Sequence, residues 1–306
     1  MNQAGSRKNV YIGSGLAILA TIIWSGNFIV ARGVINLVSP ISLAFFRWFT
    51  ACLILFPLAY KSFQREKIIV YKNIKYFFWI SLTGVTLFNT FVYIAGHYSP
   101  AINLALIGTT SSPIMAIILA AIFLKEKITL TKILGLILCI CGILLLLSQG
   151  SINRLIAFRF SPGDWWILVG ALWFAIYNTL VKRKPIGISP INFLFVTFTF
   201  GTILLFPFFI VEYSLVEPVD WNINVLLIIL YLGLGTSVLA FLCWNAAIAR
   251  IGASRTAIFG NLIPVFSAIE AVLLLNESIT TIHILSGVLV IAGLLIASIF
   301  GAVGNR

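Results

Sequence analysis

The sequence predicts an all-α integral membrane protein: ten transmembrane helices arranged as two five-helix repeats of inverted topology. Three observations carry this prediction: an apolar composition, an internal duplication and a lopsided placement of basic residues. Of the 306 residues, 61% are hydrophobic and 9% charged, and the mean hydropathy is +1.10. A soluble domain carries roughly 25% charged residues. A chain with so few cannot cover its own surface in water, so the bilayer is its solvent. The duplication runs in one register. Pro113 recurs as Pro264, and Leu124-Lys-Glu-Lys-Ile-Thr129 as Leu275-Asn-Glu-Ser-Ile-Thr280. The same offset of 151 pairs Gly84 with Gly235, Tyr93 with Trp244, Ala95 with Ala246, Leu134 with Leu285 and Gly142 with Gly293.

The apolar runs give the elements in order. A spanning helix needs about 20 mostly apolar residues. Such runs cover 12–32, 40–60, 74–96, 100–124, 130–149, 164–182, 189–211, 223–247, 253–275 and 280–301. Pro40, Pro100 and Pro190 fall in first turns, where a missing N–H costs little. Residues 1–149 form the first repeat, 150–163 a linker and 164–306 the second repeat. Arg7 and Lys8 precede the first run, which no clear small-residue cleavage site follows, so it reads as a retained helix. Trp79, Trp165, Trp166 and Trp221 lie near predicted helix ends and suit interfacial anchors.

Charge sets the orientation. With the N-terminus inside, every loop lysine and arginine falls on the inner side except Arg32, Arg154 and Arg159. This is a strong positive-inside bias. It places both termini in the cytoplasm of a plasma (inner) membrane. Five helices per repeat then turn the second repeat upside down relative to the first, as in many secondary transporters. The net charge of +12 is thus a topological signal, and no nucleic-acid partner is expected. All four cysteines, Cys52, Cys139, Cys141 and Cys243, sit in apolar runs without metal-ligand spacing, so neither metal nor cofactor is expected.

Alternating access requires a site near the midplane between the repeats. Polar and aromatic residues at that depth are therefore the candidates. Thr86, Asn89, Thr90, Tyr93 and His97 form a stripe on the third helix at spacings of 3 and 4. Ser237 and Trp244 hold the matching positions on the eighth. The first helix offers Trp24, Ser25 and Asn27, and the sixth Trp173, Tyr177 and Asn178. Thr109, Thr110 and Ser111 precede Pro113, and Asn261 precedes Pro264. Each mid-helix proline is expected to free a carbonyl four residues back, at Thr109 and Gly260. Trp24, Asn27, Asn89, Tyr93, Thr110, Trp173, Tyr177, Trp244 and Asn261 are the expected solute-binding set; interhelical packing is the competing role for each. Arg47 and Glu270 lie inside spans, ~8–10 Å below the outer surface at ~1.5 Å rise per residue. Buried charges are usually paired or functional. The two are expected to face the interior and pair in one conformation, with Glu270 the candidate for proton coupling. The alternative has Arg47 snorkelling outward and Glu270 structural. Glu126 and Glu277 read as corner locks serving the N–H groups of the next helix, beside Thr129 and Thr280. His97 and His283 read as interface residues. Gly293, Ala297 and Gly301 form a small-residue face whose use, in a dimer or internally, is open.

These residues resemble the drug/metabolite transporter superfamily, in particular its EamA-type members. The resemblance lies in Trp24 with Asn27, Phe46-Arg47, Pro113 followed by Leu124-Lys125-Glu126, and Gly135 with Gly142, then Trp173, Pro264, Glu277 and Gly293. It implies a ten-helix secondary transporter in which helices one to four and six to nine surround a cavity. It also implies a small-molecule solute, often an exported amino acid or metabolite. Ser25, Ser286 and Glu270 depart from the family pattern. The expected function is export of amino acids or related compounds by a monomer or weak homodimer. The alternatives are a nucleobase, a sugar derivative or a xenobiotic as solute. An intramembrane enzyme is a distant third, since no His-Glu-x-x-His, Gly-x-Ser-x-Gly or acidic metal cluster is present. The chain also lacks a phosphate-binding Gly-x-x-x-x-Gly-Lys loop, which disfavours an ATP-driven pump.

Overall fold

The structure, a computed structural model, describes residues 3–124, 130–156, 160–181, 183–251, 256 and 259–296. Its main helices are α1 (Gln3–Gly33), α2 (Pro40–Lys72), α3 (Ile74–Gly96), α4 (Ala101–Leu124) and α5 (Leu130–Leu147). A short helical turn, Ile152–Ile156, lies in the linker. Then come α6 (Pro162–Val181), α7 (Pro190–Leu215), α8 (Ile223–Ile251), α9 (Ile263–Leu275) and α10 (Thr281–Leu295). By length and composition α1, α2, α3, α6, α7 and α8 can each cross a bilayer, and the other four are apolar over shorter described stretches.

Two helices are irregular in the same place. α3 turns π-helical over Leu82–Leu87 and α8 over Tyr231–Leu239. Moved by the offset of 151, the first stretch falls inside the second. Ser237 Oγ donates to the Leu232 carbonyl five residues back, at the π spacing. Such bulges cost regular hydrogen bonds and concentrate at functional sites.

The packing pairs also exchange when the halves are swapped. α2 lies on α7, α5 on α10 and α4 on α9. α1 packs on α8 and α9, as α6 packs on α3 and α4. Lipid tails are as apolar as leucine, so such crossings rely on close packing and interhelical hydrogen bonds. At α5–α10 the backbones nearly touch: a Cβ on Gly293 would lie 2.6 Å from the Gly135 carbonyl oxygen, and one on Gly142 2.9 Å from that of Ser286. Gly293 is therefore used inside the molecule. Ala297 and Gly301 lie outside the described residues. Two contacts join a residue to its own counterpart in the other half: Cys139 Sγ to the Val290 carbonyl at 3.6 Å, and, in the offset of 150 by which Pro40 and Pro57 of α2 match Pro190 and Pro207 of α7, Cys52 Sγ to Thr202 Oγ1 at 3.5 Å.

Helix ends are tied by partners from other helices. Ser39 and Ser189, the residues before Pro40 and Pro190, make no side-chain cap of their own. Glu212, at the end of α7, instead accepts from Ser39 Oγ (2.7 Å), Ile41 N (3.1 Å), Ser42 N (2.7 Å) and Ser42 Oγ (2.8 Å). Glu66, late in α2, reciprocally accepts from Ser189 N (3.0 Å), Ser189 Oγ (3.2 Å) and Asn192 Nδ2 (2.7 Å). Arg32 closes the other kind of end, donating to the Gly96 carbonyl at 3.1 Å. Burial first, then the Arg32 charge, holds the neighbouring His97 imidazole below its ordinary range, with Glu212 opposing. The ends tied by Arg32, Glu212 and Glu277 gather on one side of the bundle. Glu66, and Tyr76 Oη donating to the Leu180 carbonyl at 3.0 Å, tie ends on the opposite side.

Four expectations need correction. α1 begins nearer the terminus than residue 12, and α2 runs on to Lys72, twelve residues past the predicted end at 60: the extension carries the good helix formers Gln64-Arg65-Glu66-Lys67 and neither Gly nor Pro to stop it. Pro264 does not sit mid-helix: it occupies the first turn of α9, and the chain turns at 261–262 just before it. The break itself, rather than a freed Gly260 carbonyl, is the irregular feature there, whereas Pro113 does lie inside α4. Glu277 does not serve α10. It accepts from Ala101 N (2.7 Å) and Ile102 N (3.1 Å) and so caps α4, where its charge meets the positive end of the helix dipole. α10 is started by a capping box of Thr280 and His283, and His283 Nε2 also meets Asn103 Oδ1 at 3.1 Å. Glu126 lies outside the described residues.

Candidate functional site

The site grows from one residue, Arg47 on α2. Its position is set by α2 crossing both α3 and the π stretch of α8, and only 4% of its surface is exposed. Arg47 Nη1 lies 2.7 Å from Asn27 Oδ1 on α1, 2.7 Å from Asn89 Oδ1 on α3 and 2.9 Å from Tyr93 Oη. Nε donates to Ser237 Oγ at 2.9 Å. Tyr93 closes the knot by donating to Asn27 Oδ1 at 3.0 Å. Four helices from both halves thus converge on one guanidinium, and every oxygen it meets is neutral. The Asn89 and Tyr93 side chains share a face because they lie four residues apart on one helix. Ser237 reaches Arg47 from the π stretch of α8.

An aromatic wall continues from the guanidinium. Arg47 Cζ stands 4.5 Å above the Trp48 ring. Trp48 tilts against Phe198 (4.5 Å), Phe198 meets Phe241 edge-on (6.1 Å), and Phe241 does the same to Trp24 (5.2 Å). Trp24 lies 5.1 Å from Trp244 and donates from Nε1 to the Thr236 carbonyl at 3.0 Å. Trp244 in turn borders Gly260 beside the α9 break, where the Asn261 amide nitrogen is buried without a partner. Thr110, Ser111 and Ser112 on α4 have equally buried, unpartnered hydroxyls.

Glu270 sits apart from this knot. Its Oε1 accepts from Ser25 Oγ at 2.7 Å, and Oε2 is buried and unpartnered. The expected pairing with Arg47 is not present in this structure. Tyr231 stands between, close enough to interact electrostatically with Glu270, Arg47 and Tyr93, and its hydroxyl donates to the Ile23 carbonyl at 2.6 Å. The reason is rotational: Ser25 and Asn27 are two residues apart on α1 and point to different neighbours.

Of the residues singled out by sequence, the structure gathers Asn27, Asn89, Tyr93 and Arg47 in one knot and Trp24 with Trp244 in the adjoining wall. It does not gather Trp173 and Tyr177. Tyr177 stacks on Phe174 (5.5 Å) and presses its ring on Gly84 in the α3–α6 crossing. Trp173 is half-buried on α6, and among the described residues no hydrogen bond or ring contact links it to the knot. Sequence reasoning missed Trp48, Phe198, Phe241 and Tyr231. Phe241 alone carried a signal, three residues before Trp244 on the same face. Among the described residues no group of three His, Cys, Asp or Glu side chains could hold a metal.

The comparisons agree with this architecture. The EamA-like transporter family matches the chain twice, over residues 11–148 and 161–299. The uncharacterized transporter YyaM of Bacillus subtilis is 30% identical over 294 residues, covering 95% of this chain and 93% of that one. A protein of Salmonella typhimurium named "Probable amino-acid metabolite efflux pump" is 25% identical over 304 residues, covering 97% and 96%. Its namesake in Escherichia coli is 24% identical, covering 94% of each chain. One crystal structure shares the fold, with a TM-score of 0.62 over 98% of this chain and 99% of that one at 15% identity. The chain belongs to the EamA-like transporter family and is a multi-pass membrane transporter of the drug/metabolite type.

Proposed function

We propose that this transporter moves amino acids or related small polar metabolites out of the cell, by alternating access between two inverted five-helix repeats, 1–149 and 164–306. The observation that carries the reading is the Arg47 knot, which draws on α1, α2 and α3 of one half and α8 of the other. A solute seated there touches both halves, and rocking one against the other changes the side to which it is open. The exchange of packing pairs and the matching π stretches support the two-repeat scheme. The gathering of alternate helix ends supports the inverted topology, and the basic loops support cytoplasmic termini. The names of the Salmonella and Escherichia relatives support the solute class and the direction. Asn27, Asn89, Tyr93, Trp24 and Trp244 form the solute contact. Glu270, with one oxygen on Ser25 and one unpartnered, is the coupling group that takes and releases a proton. The working unit is a monomer or a weak homodimer.

Purified protein in proteoliposomes tests this with a labelled panel of neutral and aromatic amino acids, with and without an imposed pH gradient. Saturable flux of one class supports the reading. Flux of nucleobases, sugar derivatives or cationic dyes alone replaces the solute class. Flux that depends on the gradient in wild type and loses that dependence in Glu270→Gln supports coupling; an unchanged gradient response in that variant removes Glu270 from the mechanism.

A further inference from the structure

We infer that Arg47 is the anchor for a carboxylate on the transported solute, which binds at Nη2 and runs its apolar body along the half-buried rings of Phe241, Trp24 and Trp244. This rests on the transport reading above and adds to it the charge the solute must carry and the atom that reads it.

The guanidinium is permanently charged and 4% exposed, yet its four hydrogen-bond partners, Asn27, Asn89, Tyr93 and Ser237, are all uncharged. A charge at membrane depth is costly and is ordinarily paired. The acid that could have neutralised it, Glu270, is engaged by Ser25. The bonding is also uneven. Three oxygens compete for the two N–H groups of Nη1, whereas no hydrogen bond reaches Nη2 among the described residues. Nη2 is not one of the fully buried, unpartnered polar atoms of the bundle, so it keeps a small accessible surface. One oxygen can therefore leave Nη1 without stranding it. A carboxylate that takes that proton and one from Nη2 makes an end-on, two-bond pair of the bidentate kind that arginine favours. The Trp48 ring covers one face of the guanidinium and holds its plane, so the edge carrying Nη2 is presented in a fixed direction. Ser237 and Asn27 bring the same guanidinium to both halves, so the bound anion neutralises the charge around which the halves meet.

The test uses the full chain in proteoliposomes, with labelled phenylalanine and leucine as probes. Phenylalanine amide, phenylalanine methyl ester and phenethylamine, which lack a free carboxylate, are expected to compete about 10- to 100-fold less well than phenylalanine, the discrimination expected of a charged hydrogen bond. Phenylacetate, which keeps the carboxylate and loses the amine, is expected to compete. In purified protein, phenylalanine is expected to raise the melting temperature of wild type, less so that of Arg47→Lys, and not that of Arg47→Gln. Equal competition by the carboxylate-free analogues, which needs no variant, overturns the anchor. Flux of uracil or of a cationic dye without flux of any carboxylate leaves a transporter standing and also overturns the anchor. Absence of any flux from folded protein overturns both readings.

Discussion

α2 and α7 occupy equivalent places in the two halves and differ at their centres. Ser39-Pro40-Ile41 and Ser189-Pro190-Ile191 start them, and Pro57 and Pro207 lie equally far along, so Arg47 corresponds to Thr197. Arg47 binds four side chains from three helices. Thr197 is fully buried, and its hydroxyl has no partner. Their neighbours on the π stretches diverge in step. Ser237 accepts from Arg47, whereas its counterpart Thr86 donates to the Gly201 carbonyl at 3.2 Å. The scaffold is duplicated, but the charge at its centre stands in one half only. In the proposed mechanism duplication supplies the two-sided mechanics, and divergence at a few buried positions supplies the chemistry.

Breaking the charged centre should have the largest effect. Arg47→Met strands the Asn89 oxygen and leaves Asn27 Oδ1 only the Tyr93 hydroxyl, and is expected to cost about 2–4 kcal/mol of unfolding free energy, read as a large fall in melting temperature in detergent. The next effect tests the π stretches. Gly84→Ala drives a Cβ into the Tyr177 ring, whereas one on Gly235 meets nothing nearer than 3.3 Å. About 1–3 kcal/mol is expected for the first, as for other overpacked sites, and little for the second; equal melting temperatures would contradict the asymmetry. The reciprocal caps come third. Glu212→Gln puts an amide donor against Ile41 N or Ser42 N and is expected to cost about 1 kcal/mol, with Glu66→Gln costing less because only one of its donors is a backbone N–H. Hydrogen exchange at the first turns of α2 and α7 separates the two. The smallest effect is the mirror of the largest. Thr197→Val removes an unpartnered hydroxyl at nearly constant volume and is expected to be neutral or slightly stabilising.

Much of this arrangement was legible in the sequence, for specific reasons. The offset that pairs Gly142 with Gly293 shows up directly at the α5–α10 crossing. Asn89 and Tyr93 could be placed together because four residues along a helix fix a shared face. Arg47 could be recognised as exceptional but not assigned its partners, because those depend on how α1, α2 and α3 are rotated about their axes. Spacing within one helix says nothing of that. Tyr177 and Trp173 were grouped with the site by the same logic that worked for Tyr93, and the α3–α6 crossing used Tyr177 for packing instead. The π turns were not legible either, since they arise from how α3 and α8 meet α6, α7 and α2.

The contacts of Cys139 with Val290 and of Cys52 with Thr202 join residues that map onto each other when the halves are interchanged. Any rearrangement that gives each half the other's shape must return these pairs to themselves. In the alternating access proposed above they are the fulcrum: the distances across them stay constant while those on either side lengthen and shorten in turn. Probes placed there are expected to be silent through that proposed cycle, and probes on Glu66 and Glu212, at opposite ends of the same helix pair, to record it in antiphase.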